Sequence, residues 1–444
     1  MSSDQPTSGN GPSQLHKRGT APAAVADIPT PSWRLPLLGD VLRLDPVRPT
    51  QREMEMAKEL GPIFEIDIAG KKLVVVAGAD EAAEVFDEKR FAKAIVPPIT
   101  KLRDIASDGL FTAYNSEPNW EKAHNILAPA FSQASMRSYH DTMVSCVEDL
   151  CTYWDSKVTE APVDVAGDMN KLTLEVIGRT GFDHTFHSFD STEDPFVTAM
   201  VRGMEFISQT SNDIPIIREI FGRKAAAQKE KDVRYLRKTV DEIIAARKAP
   251  GAERHNDLLQ RMLETPDPDT GEYLSDENIR NQVLTFLVAG HETTASTLSF
   301  ALYFLSQHPE VAERARAEVD ELWADPADTS SVAFEQAARL RYVRRIIEET
   351  LRLWPAGPAF FRKPREDTLI GEKYLVKKGH PILVLLLSLH RDPAWGEDPE
   401  AFDPDRFERA AMKERPAHIY KPFGTGARAC IGRQFAFHEA VLAL

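Results

Sequence analysis

The chain has 444 residues, of which 42% are hydrophobic and 27% are charged, a composition typical of a globular protein with a large core. Its formal net charge of -14 argues against nucleic acid as a partner, because phosphate binding needs clustered Lys and Arg. The three cysteines, Cys146, Cys151 and Cys430, cannot all pair, which excludes a disulfide framework. This cysteine usage favours a reducing compartment, and we expect a cytoplasmic location.

The first residues of the chain are rich in Ser, Pro, Gly and Ala and contain no apolar run. Residues 1–30 are therefore predicted to be a disordered tail rather than a signal peptide or membrane anchor. No apolar stretch approaches the roughly 20 residues of a membrane-spanning helix. The longest, Pro381 to Leu389, has the length of a buried strand. We expect a soluble protein.

After the tail, the pattern predicts a helix over Gln51 to Leu60 and two strands, Ile63 to Ile68 and Lys72 to Ala77. Ala69 and Gly70 lie between the strands, as in a hairpin. From Ala79 to Leu353 the pattern is almost entirely helical. Loops are predicted around Pro118 and Pro162 and over residues 190–195, 214–221 and 265–271.

Strand-like pieces return between Ala359 and Leu389, and a last helix is predicted from about Ile431. The strands thus come from both ends of the chain, with helices between them. The sequence predicts a mainly α fold with a small β portion.

One predicted helix is unusually long, from an N-cap at Ser275 to Gln307. At 1.5 Å per residue it would be about 45 to 50 Å long. Its apolar middle, "VLTFLVAG", is followed by the polar run His291 to Thr294. Burying these groups costs free energy unless they find partners. These residues alone are equally consistent with a functional site and with a polar patch whose hydrogen bonds are all made, the Thr hydroxyls bonding to the preceding turn.

The stretch "FGTGARACIG" places Cys430 among small residues. A cysteine in isolation is more often a small buried apolar residue than a ligand. Here, however, Gly424, Gly426 and Gly432 allow tight turns and close approach to a flat object. The N–H groups of the following helix would stabilise a thiolate, and Arg428 suits a carboxylate. The loop is therefore interpreted as holding a thiolate under a metal macrocycle.

Five residues of this loop match the F-x-x-G-x-R-x-C-x-G heme-binding pattern of the cytochrome P450 family: Phe423, Gly426, Arg428, Cys430 and Gly432. The resemblance extends from about Pro31 to Leu444. It implies one heme domain over residues 31–444, with heme b between the long helix and the helix that follows the cysteine. Cys430 would be the axial ligand of the heme iron.

Two further motifs resemble the family. Glu349 and Arg352 in "EETLR", with Arg406 in "DPDRF", resemble its buried charge network. Without that resemblance, Glu349 and Arg352 would be read as a surface i,i+3 ion pair. The segment "AGHETT", Ala289 to Thr294, resembles the motif at which oxygen is activated. By this resemblance Thr293 would donate a proton or position a water, and the neighbouring Glu292 would relay protons from solvent.

Within the family, the blocks "DGLFTA", "NWEKAHNILAPAFS" and "LRLWPAGPAF" resemble the bacterial and fungal fatty-acid hydroxylases whose heme domain is fused to a diflavin reductase. That resemblance implies that Trp120 and His124, with Arg428, bind the heme propionates. A lone His on an amphipathic helix is otherwise more often structural. It also implies that electrons come from NADPH through an FMN and FAD reductase that this chain does not contain.

The implied substrate is an apolar small molecule, most simply a medium or long fatty acid hydroxylated near its end with O2. Phe111 resembles the aromatic that packs over the heme, with Gly357 and Ala289 beside it, although Phe111 could also be an ordinary core residue. Lys71 would supply charge for the carboxylate, but Val75 stands where the relatives have a tyrosine. Another apolar substrate is therefore the alternative.

Peroxide-driven hydroxylases and non-enzymatic heme sensors or electron carriers are further alternatives. The intact pair Glu292 and Thr293 disfavours both. The chain stops at Leu444 inside its last helix. Because the family continues with strands that close the substrate pocket, we expect a domain truncated within that helix, without its C-terminal strands.

Overall fold

The computed structural model describes residues 25–97, 99–157, 162–190, 194–211, 223–323 and 332–444. The described residues are mostly helical with a small β portion, as the sequence predicts. The predicted loop over residues 214–221 and most of the predicted tail lie outside these ranges. No helix in the described ranges combines the length and the apolarity that a bilayer span requires.

The N-terminal elements follow the predicted pattern closely. Helix α1 is Pro49–Leu60, beginning with a proline at its first turn, where the missing N–H costs nothing. Strand β1 is Ile63–Ile68, as predicted, and β2 is Lys71–Val76, one residue earlier than predicted at each end. The two pair antiparallel, and Ala69 and Gly70 both have positive φ, as a type I′ hairpin turn requires.

The central part of the chain is helical, and most of its helices surround one large apolar core, but the first, Ala79–Val85, packs with the strands. Its helices are α2 Ala79–Val85, α3 Ile99–Ala106, α4 Asn119–Leu127, α5 Gln133–Lys157, α6 Val165–Phe182, α7 Pro195–Ser211, α8 Arg223–Arg247, α9 Leu258–Glu264, α10 Asp276–Gln307, α11 Pro309–Leu322, α12 Phe334–Ala337 and α13 Arg341–Leu353.

The C-terminal part contains further strands and helices. These are β4 Ala359–Pro364, β5 Thr368–Ile370, β6 Tyr374–Val376, β7 Ile382–Leu385, α14 Leu386–Leu389, α15 Arg409–Glu414 and α16 Arg433–Ala443. The predicted strand over Pro381 to Leu389 is therefore wrong in its second half, which turns into helix α14. Both halves are apolar, and periodicity does not separate a buried strand from a buried helical turn in so short a run.

Together with β3, Phe91–Lys93, the strands from the two ends of the chain form the main sheet, in the order β1-β2-β7-β4-β3. Strand β3, Phe91–Lys93, lies inside the region predicted to be helical and pairs antiparallel with β4. It was missed because three residues carry too little periodicity to stand out. Strand β7 pairs parallel with β2 and antiparallel with β4, so it links the N-terminal hairpin to the edge that carries β3.

Residues 25–30, which the sequence places in the tail, contact the body of the protein. Ala26 bridges to Tyr374, and the carbonyl oxygen of Pro29 accepts a hydrogen bond from the N–H of Glu65. The predicted tail is therefore wrong for these residues, because they hydrogen-bond to strands β1 and β6. Residues 1–24 lie outside the described ranges.

The long helix α10 runs as predicted, with the Ser275 side chain accepting a hydrogen bond from the N–H of Asn278. It packs against α6 and α13, so it lies in the middle of the helical core. Helix α16 begins after Gly432, two residues later than predicted, and packs against α5, α10 and α13. This packing holds the cysteine loop that precedes α16 against α10.

Candidate active site

A cavity of about 690 Å³ lies between helix α10 and the cysteine loop. Thr293 and Ala289 of α10 line one part of it, and Phe423, Cys430 and Gly432 line another. The sequence predicted these residues to meet, although about 140 positions separate them along the chain. The fold brings the two predicted motifs together around one cavity.

The thiol of Cys430 faces this cavity. Cys430 is exposed to it although protein surrounds the side chain closely. Burial raises the pKa of the Cys430 thiol, while the Gly432 N–H bonded to the sulfur and the charge of Arg433 act in the opposite direction. The backbone N–H of Cys430 donates to the carbonyl oxygen of Phe423 at 2.9 Å, which closes the loop. The loop thus presents one sulfur ligand, with an N–H group ready to stabilise its thiolate.

The glycines of the loop have different tasks. Gly424 and Gly426 have φ of 71° and 73°, which favours glycine at both positions. Gly426 does not line the cavity, and a Cβ there would lie 2.1 Å from the carboxyl group of Glu88. That carboxylate accepts the N–H of Ala427 at 3.0 and 3.1 Å. The expectation that Gly426 leaves room for a flat cofactor is therefore wrong: it leaves room for Glu88.

Three cations line one end of the cavity: Lys93 of β3, Arg362 of β4 and Arg428 of the cysteine loop. Lys93 and Arg362 are direct partners in the strand register. Burial, with the charges of Arg428 and Arg362, lowers the pKa of Lys93 to about 7. Burial also lowers the pKa of Arg362 and lowers that of Arg428 to about 10. Positive charge is concentrated here without enough anions to match it.

Trp120 and His124 of α4 complete this end of the cavity. Their rings stack with centroids 5.0 Å apart, and the guanidinium carbon of Arg428 lies 4.0 Å from the Trp120 ring centroid. Burial and the charge of Arg428 lower the pKa of His124, so its neutral form is favoured. The predicted trio of Trp120, His124 and Arg428 is thus assembled in one place.

On the α10 side, Thr293 is exposed to the cavity and its hydroxyl donates to the carbonyl oxygen of Ala289 at 2.8 Å. Glu292, also in the cavity wall, is half-buried, and burial raises the pKa of its carboxyl group. Thr294 bonds back to Gly290 in the same way as Thr293 does to Ala289. Back-bonding therefore satisfies the hydroxyls, as one of the two sequence interpretations held, yet the polar run also faces a cavity.

Of the residues predicted to contact substrate, Phe111, Gly357 and Ala289 line the cavity. Lys71 does not: it lies at the exposed start of β2. Val75 is fully buried in the sheet. The structure therefore brings the predicted aromatic residue to the site but leaves the predicted carboxylate anchor outside the cavity.

A family model described as "Cytochrome P450" matches residues 29–444. The chain belongs to the cytochrome P450 family. A bifunctional cytochrome P450/NADPH–P450 reductase of Bacillus cereus is 46% identical over 423 residues, which are 95% of this chain and 39% of the relative.

Similar relatives occur in bacteria and fungi. A bifunctional cytochrome P450/NADPH–P450 reductase of Bacillus subtilis is 45% identical, and a self-sufficient cytochrome P450 monooxygenase of Phanerodontia chrysosporium is 38% identical. Each alignment covers 94% of this chain and 39% of the relative. The chain thus spans about two fifths of the length of these curated relatives, and the match falls on its P450 heme domain.

The cations at the end of the cavity fit the cofactor of a P450. The Nε of Arg362 is buried without a hydrogen-bond partner, and the charges of Arg362 and Arg428 lower the pKa of Lys93. Two propionate carboxylates would supply the missing acceptors and negative charge. In the described part of the chain, no group of three or more His, Cys, Asp or Glu side chains could hold a metal by itself. Iron held by a macrocycle and the single ligand Cys430 agrees with both observations.

Lys93 and Arg362 were not found by sequence reasoning. Each is a charged residue that follows an apolar run, in "FAKAIV" and "PAFFRKP". Such a residue in a strand next to apolar neighbours is buried only with a partner. That signal could have marked both residues as candidates, but their common location depends on the pairing of β3 with β4.

The predicted charge network of the P450 lies outside the cavity. Glu349 and Arg352 are fully buried and joined at 2.6 Å, and Arg406 approaches Glu349 at 3.6 Å. Arg352 also donates to the carbonyl oxygens of His390, Pro399 and Ala401. The network ties α13 to the irregular segment before the cysteine loop, and the surface-pair alternative is wrong.

Proposed function

We propose that this chain is the heme domain of a monooxygenase that inserts one atom of O2 into an unactivated C–H bond of an apolar substrate. The observation that carries the proposal is the cavity, which holds the Cys430 sulfur, a cationic end, and the Thr293 hydroxyl beside the Glu292 carboxyl. Heme bound through a cysteine thiolate supplies the oxidising chemistry. The residues of the chain bind it, exclude water and handle protons.

Thr293 and Glu292 are proposed to control proton delivery. The Thr293 hydroxyl donates a hydrogen bond to the carbonyl oxygen of Ala289. Its oxygen can therefore accept a hydrogen bond and hold a water in the cavity. The raised pKa of Glu292 lets its carboxyl group hold a proton closer to neutral pH than an exposed glutamate does. Because Glu292 is only half-buried, solvent can replace each proton that it gives up.

The substrate is proposed to be a medium or long-chain fatty acid, hydroxylated at subterminal positions. An apolar wall suits a hydrocarbon chain. Its residues include Ile99, Leu102, Leu110, Met204 and Ile207. Phe111 would contact the end of the chain that reacts. A neutral apolar compound is the second candidate, favoured by the position of Lys71 outside the cavity.

Electrons are proposed to come from NADPH through a flavoprotein reductase with FMN and FAD, either fused to this domain or separate. The names of the relatives from Bacillus cereus and Bacillus subtilis join the P450 with an NADPH–P450 reductase. This pairing supports a reductase rather than peroxide as the source of reducing equivalents.

Spectral titration of the heme-loaded protein tests the substrate class. A series of saturated fatty acids is compared with alcohols of the same chain lengths, and the shift of the heme spectrum gives each Kd. We expect fatty acids to bind, with a Kd that falls as the chain lengthens, because a longer chain buries more apolar surface against the cavity wall. If no chain length of fatty acid perturbs the spectrum while neutral apolar compounds do, the fatty-acid assignment fails.

A further inference from the structure

The segment from Gly109 to Thr112, between α3 and α4, has no helix or strand to hold it. It nevertheless carries two residues of the cavity wall, Leu110 and Phe111. The Phe111 side chain is 43% exposed and faces the cavity, and the Lys93 ammonium nitrogen lies 4.3 Å from its ring centroid. Its position therefore depends on what holds the backbone.

Side chains from three other elements hold this backbone. The N–H of Leu110 donates to the Gln282 Oε1 at 2.9 Å, and Lys93 donates to the carbonyl oxygen of Phe111 at 2.5 Å. Arg103 donates to the carbonyl oxygen of Thr112 at 2.8 Å. A side chain thus makes a hydrogen bond to the backbone of each of three consecutive residues, in addition to the turn bond from the N–H of Thr112 to the carbonyl oxygen of Gly109 at 3.0 Å.

Gln282 does not line the cavity, as Lys93 does, and has no ion pair, as Arg103 has. It is fully buried on α10, about two turns before Ala289. Its Nε2 donates to the Asn278 Oδ1 at 3.1 Å, which orients its Oε1 toward Leu110. A buried amide is costly unless its hydrogen bonds are made, and without Gln282 the N–H of Leu110 would lose its partner. The helix that carries Thr293 thus also positions the loop that carries Phe111.

We propose that Gln282 is a positioning residue that determines where along a substrate chain the enzyme reacts, because it fixes the backbone that carries Phe111. The proposal rests on the proposed function in one respect, that an apolar substrate packs against Phe111. A purely structural role of Gln282 would lower stability without changing the shape of the cavity near Phe111.

Two variants separate these roles. Gln282→Met keeps the approximate volume but removes the acceptor for Leu110. Gln282→Glu keeps an acceptor, and the buried Nδ2 of Asn278, which has no partner, can turn to donate to the new carboxylate. Ser299→Ala is the control: it lies on the same helix, loses a hydrogen bond to Ala295 and does not line the cavity.

The heme-loaded variants are titrated with imidazole and with 4-phenylimidazole. Both bind iron through a ring nitrogen, but only the second must share the cavity with Phe111. We expect Gln282→Met to improve the binding of 4-phenylimidazole relative to imidazole by about threefold or more, in the same direction as Phe111→Ala. Gln282→Glu should restore the wild-type ratio, and Ser299→Ala should not change it.

A double variant gives the decisive comparison. Because Gln282 acts through Phe111, Gln282→Met should have no further effect on this ratio in a Phe111→Ala background. An equal effect in both backgrounds, or an unchanged ratio in the single variant, overturns the proposal.

Product analysis separates this inference from the proposed function. With a fatty acid that the wild type hydroxylates, Gln282→Met should spread the products over more carbon positions, and Gln282→Glu should not. If the wild type hydroxylates no fatty acid but the azole ratios change as expected, only the fatty-acid assignment fails. If fatty acids are hydroxylated and neither products nor ratios change, only the role of Gln282 fails.

Discussion

Lys93, Arg362 and Arg428 hold positive charge at one end of the cavity at a cost to the folded protein. Burial disfavours the charged form of each and lowers its pKa, and at Lys93 the charges of Arg428 and Arg362 add to this effect. Bound propionates reverse this effect because they stabilise each cation. The three residues therefore link heme binding to protonation, most clearly at Lys93, whose pKa of about 7 is closest to neutrality.

Heme binding should take up a proton at Lys93. In the heme-free protein Lys93 is mostly neutral between its lowered pKa of about 7 and the ordinary value of 10.5. Propionates raise this pKa again, so in that window the heme affinity of the wild type relative to that of Lys93→Met should fall as pH rises, by up to about tenfold per pH unit. The comparison with the variant removes the proton that Cys430 releases when it binds iron as a thiolate, because both proteins release it. Below about pH 7 Lys93 is already charged, and this dependence should vanish.

The measurement is proton uptake when heme is added to heme-free protein in weakly buffered solution at pH 8. Lys93→Met should take up fewer protons than the wild type and lose heme faster to an acceptor protein. Lys363→Met is the matched control, since its side chain points to the face of β4 opposite Arg362 and does not line the cavity. Equal proton uptake by all three proteins would contradict this role of Lys93.

Thr293→Ala should uncouple NADPH oxidation from hydroxylation, because it removes the hydroxyl that we propose to hold a water in the cavity. We expect product formed per NADPH to fall by at least about tenfold and hydrogen peroxide to rise. The readout is the ratio of peroxide to product with a reductase supplied. Thr152→Ala, which removes the same type of bond to a preceding carbonyl at an exposed position of α5, should leave the ratio unchanged. Unchanged coupling in Thr293→Ala would refute the role.

At the scale of the elements, the cysteine loop depends on contacts from distant parts of the chain. Glu88, from the turn before β3, bonds to the loop at Ala427. Arg362 of β4 donates to the carbonyl oxygen of Thr425 at 3.0 Å. The buried pair of Glu349 and Arg352 anchors the segment that leads into the loop. The position of the thiol is thus fixed by the sheet and by α13 as well as by α16.

Gly426→Ala should disrupt the loop. Alanine would adopt an unfavourable positive φ, and its Cβ would meet the Glu88 carboxyl group. Gly371→Ala is the matched control, because Gly371 has a φ of 59° with nothing within 4 Å of a Cβ. We expect both variants to lose some stability but only Gly426→Ala to lose thiolate ligation, followed in the spectrum of the reduced CO complex. Full thiolate ligation in Gly426→Ala would show that the Glu88 contact is dispensable.

The two i,i+3 pairs on α13 and α11 should differ greatly in their contribution to stability. Glu349→Gln removes the charge that compensates a fully buried Arg352 and should cost about 3 to 5 kcal/mol. Glu313→Gln breaks the exposed pair with Arg316 and should cost less than about 1 kcal/mol. Denaturant unfolding of the heme-loaded protein measures both. Similar costs for the two variants would argue against a buried network.

For the whole molecule, sequence patterns predicted the elements better than their assembly. Strand β1 and helix α10 followed from alternation and from the Ser275 cap, because local chemistry defines both. The path of Pro381 to Leu389 did not, since apolar residues fill both its strand and its helical turn.

The loop motif predicted Cys430 and Arg428 as parts of one site, because its residues are adjacent in sequence. Glu88 and Arg362 were not predicted, because no local sequence pattern indicates that β3, β4 and residues 424–430 meet in space. Which distant residues contact the site thus depends on the order of the strands in the sheet. The sequence predicted the center of the site, and the structure added the residues that hold it.

The central claim is that Cys430 holds heme iron as a thiolate. The spectrum of the reduced, CO-bound protein tests it most directly, because a thiolate ligand moves the main absorption band strongly to the red of that of histidine-ligated heme proteins. The wild type and Cys151→Ser, which changes an exposed cysteine outside the cavity, should both show the red-shifted band. Cys430→Ser should lose it. A wild-type band at the position given by histidine ligation, or a red-shifted band that persists in Cys430→Ser, would contradict the account.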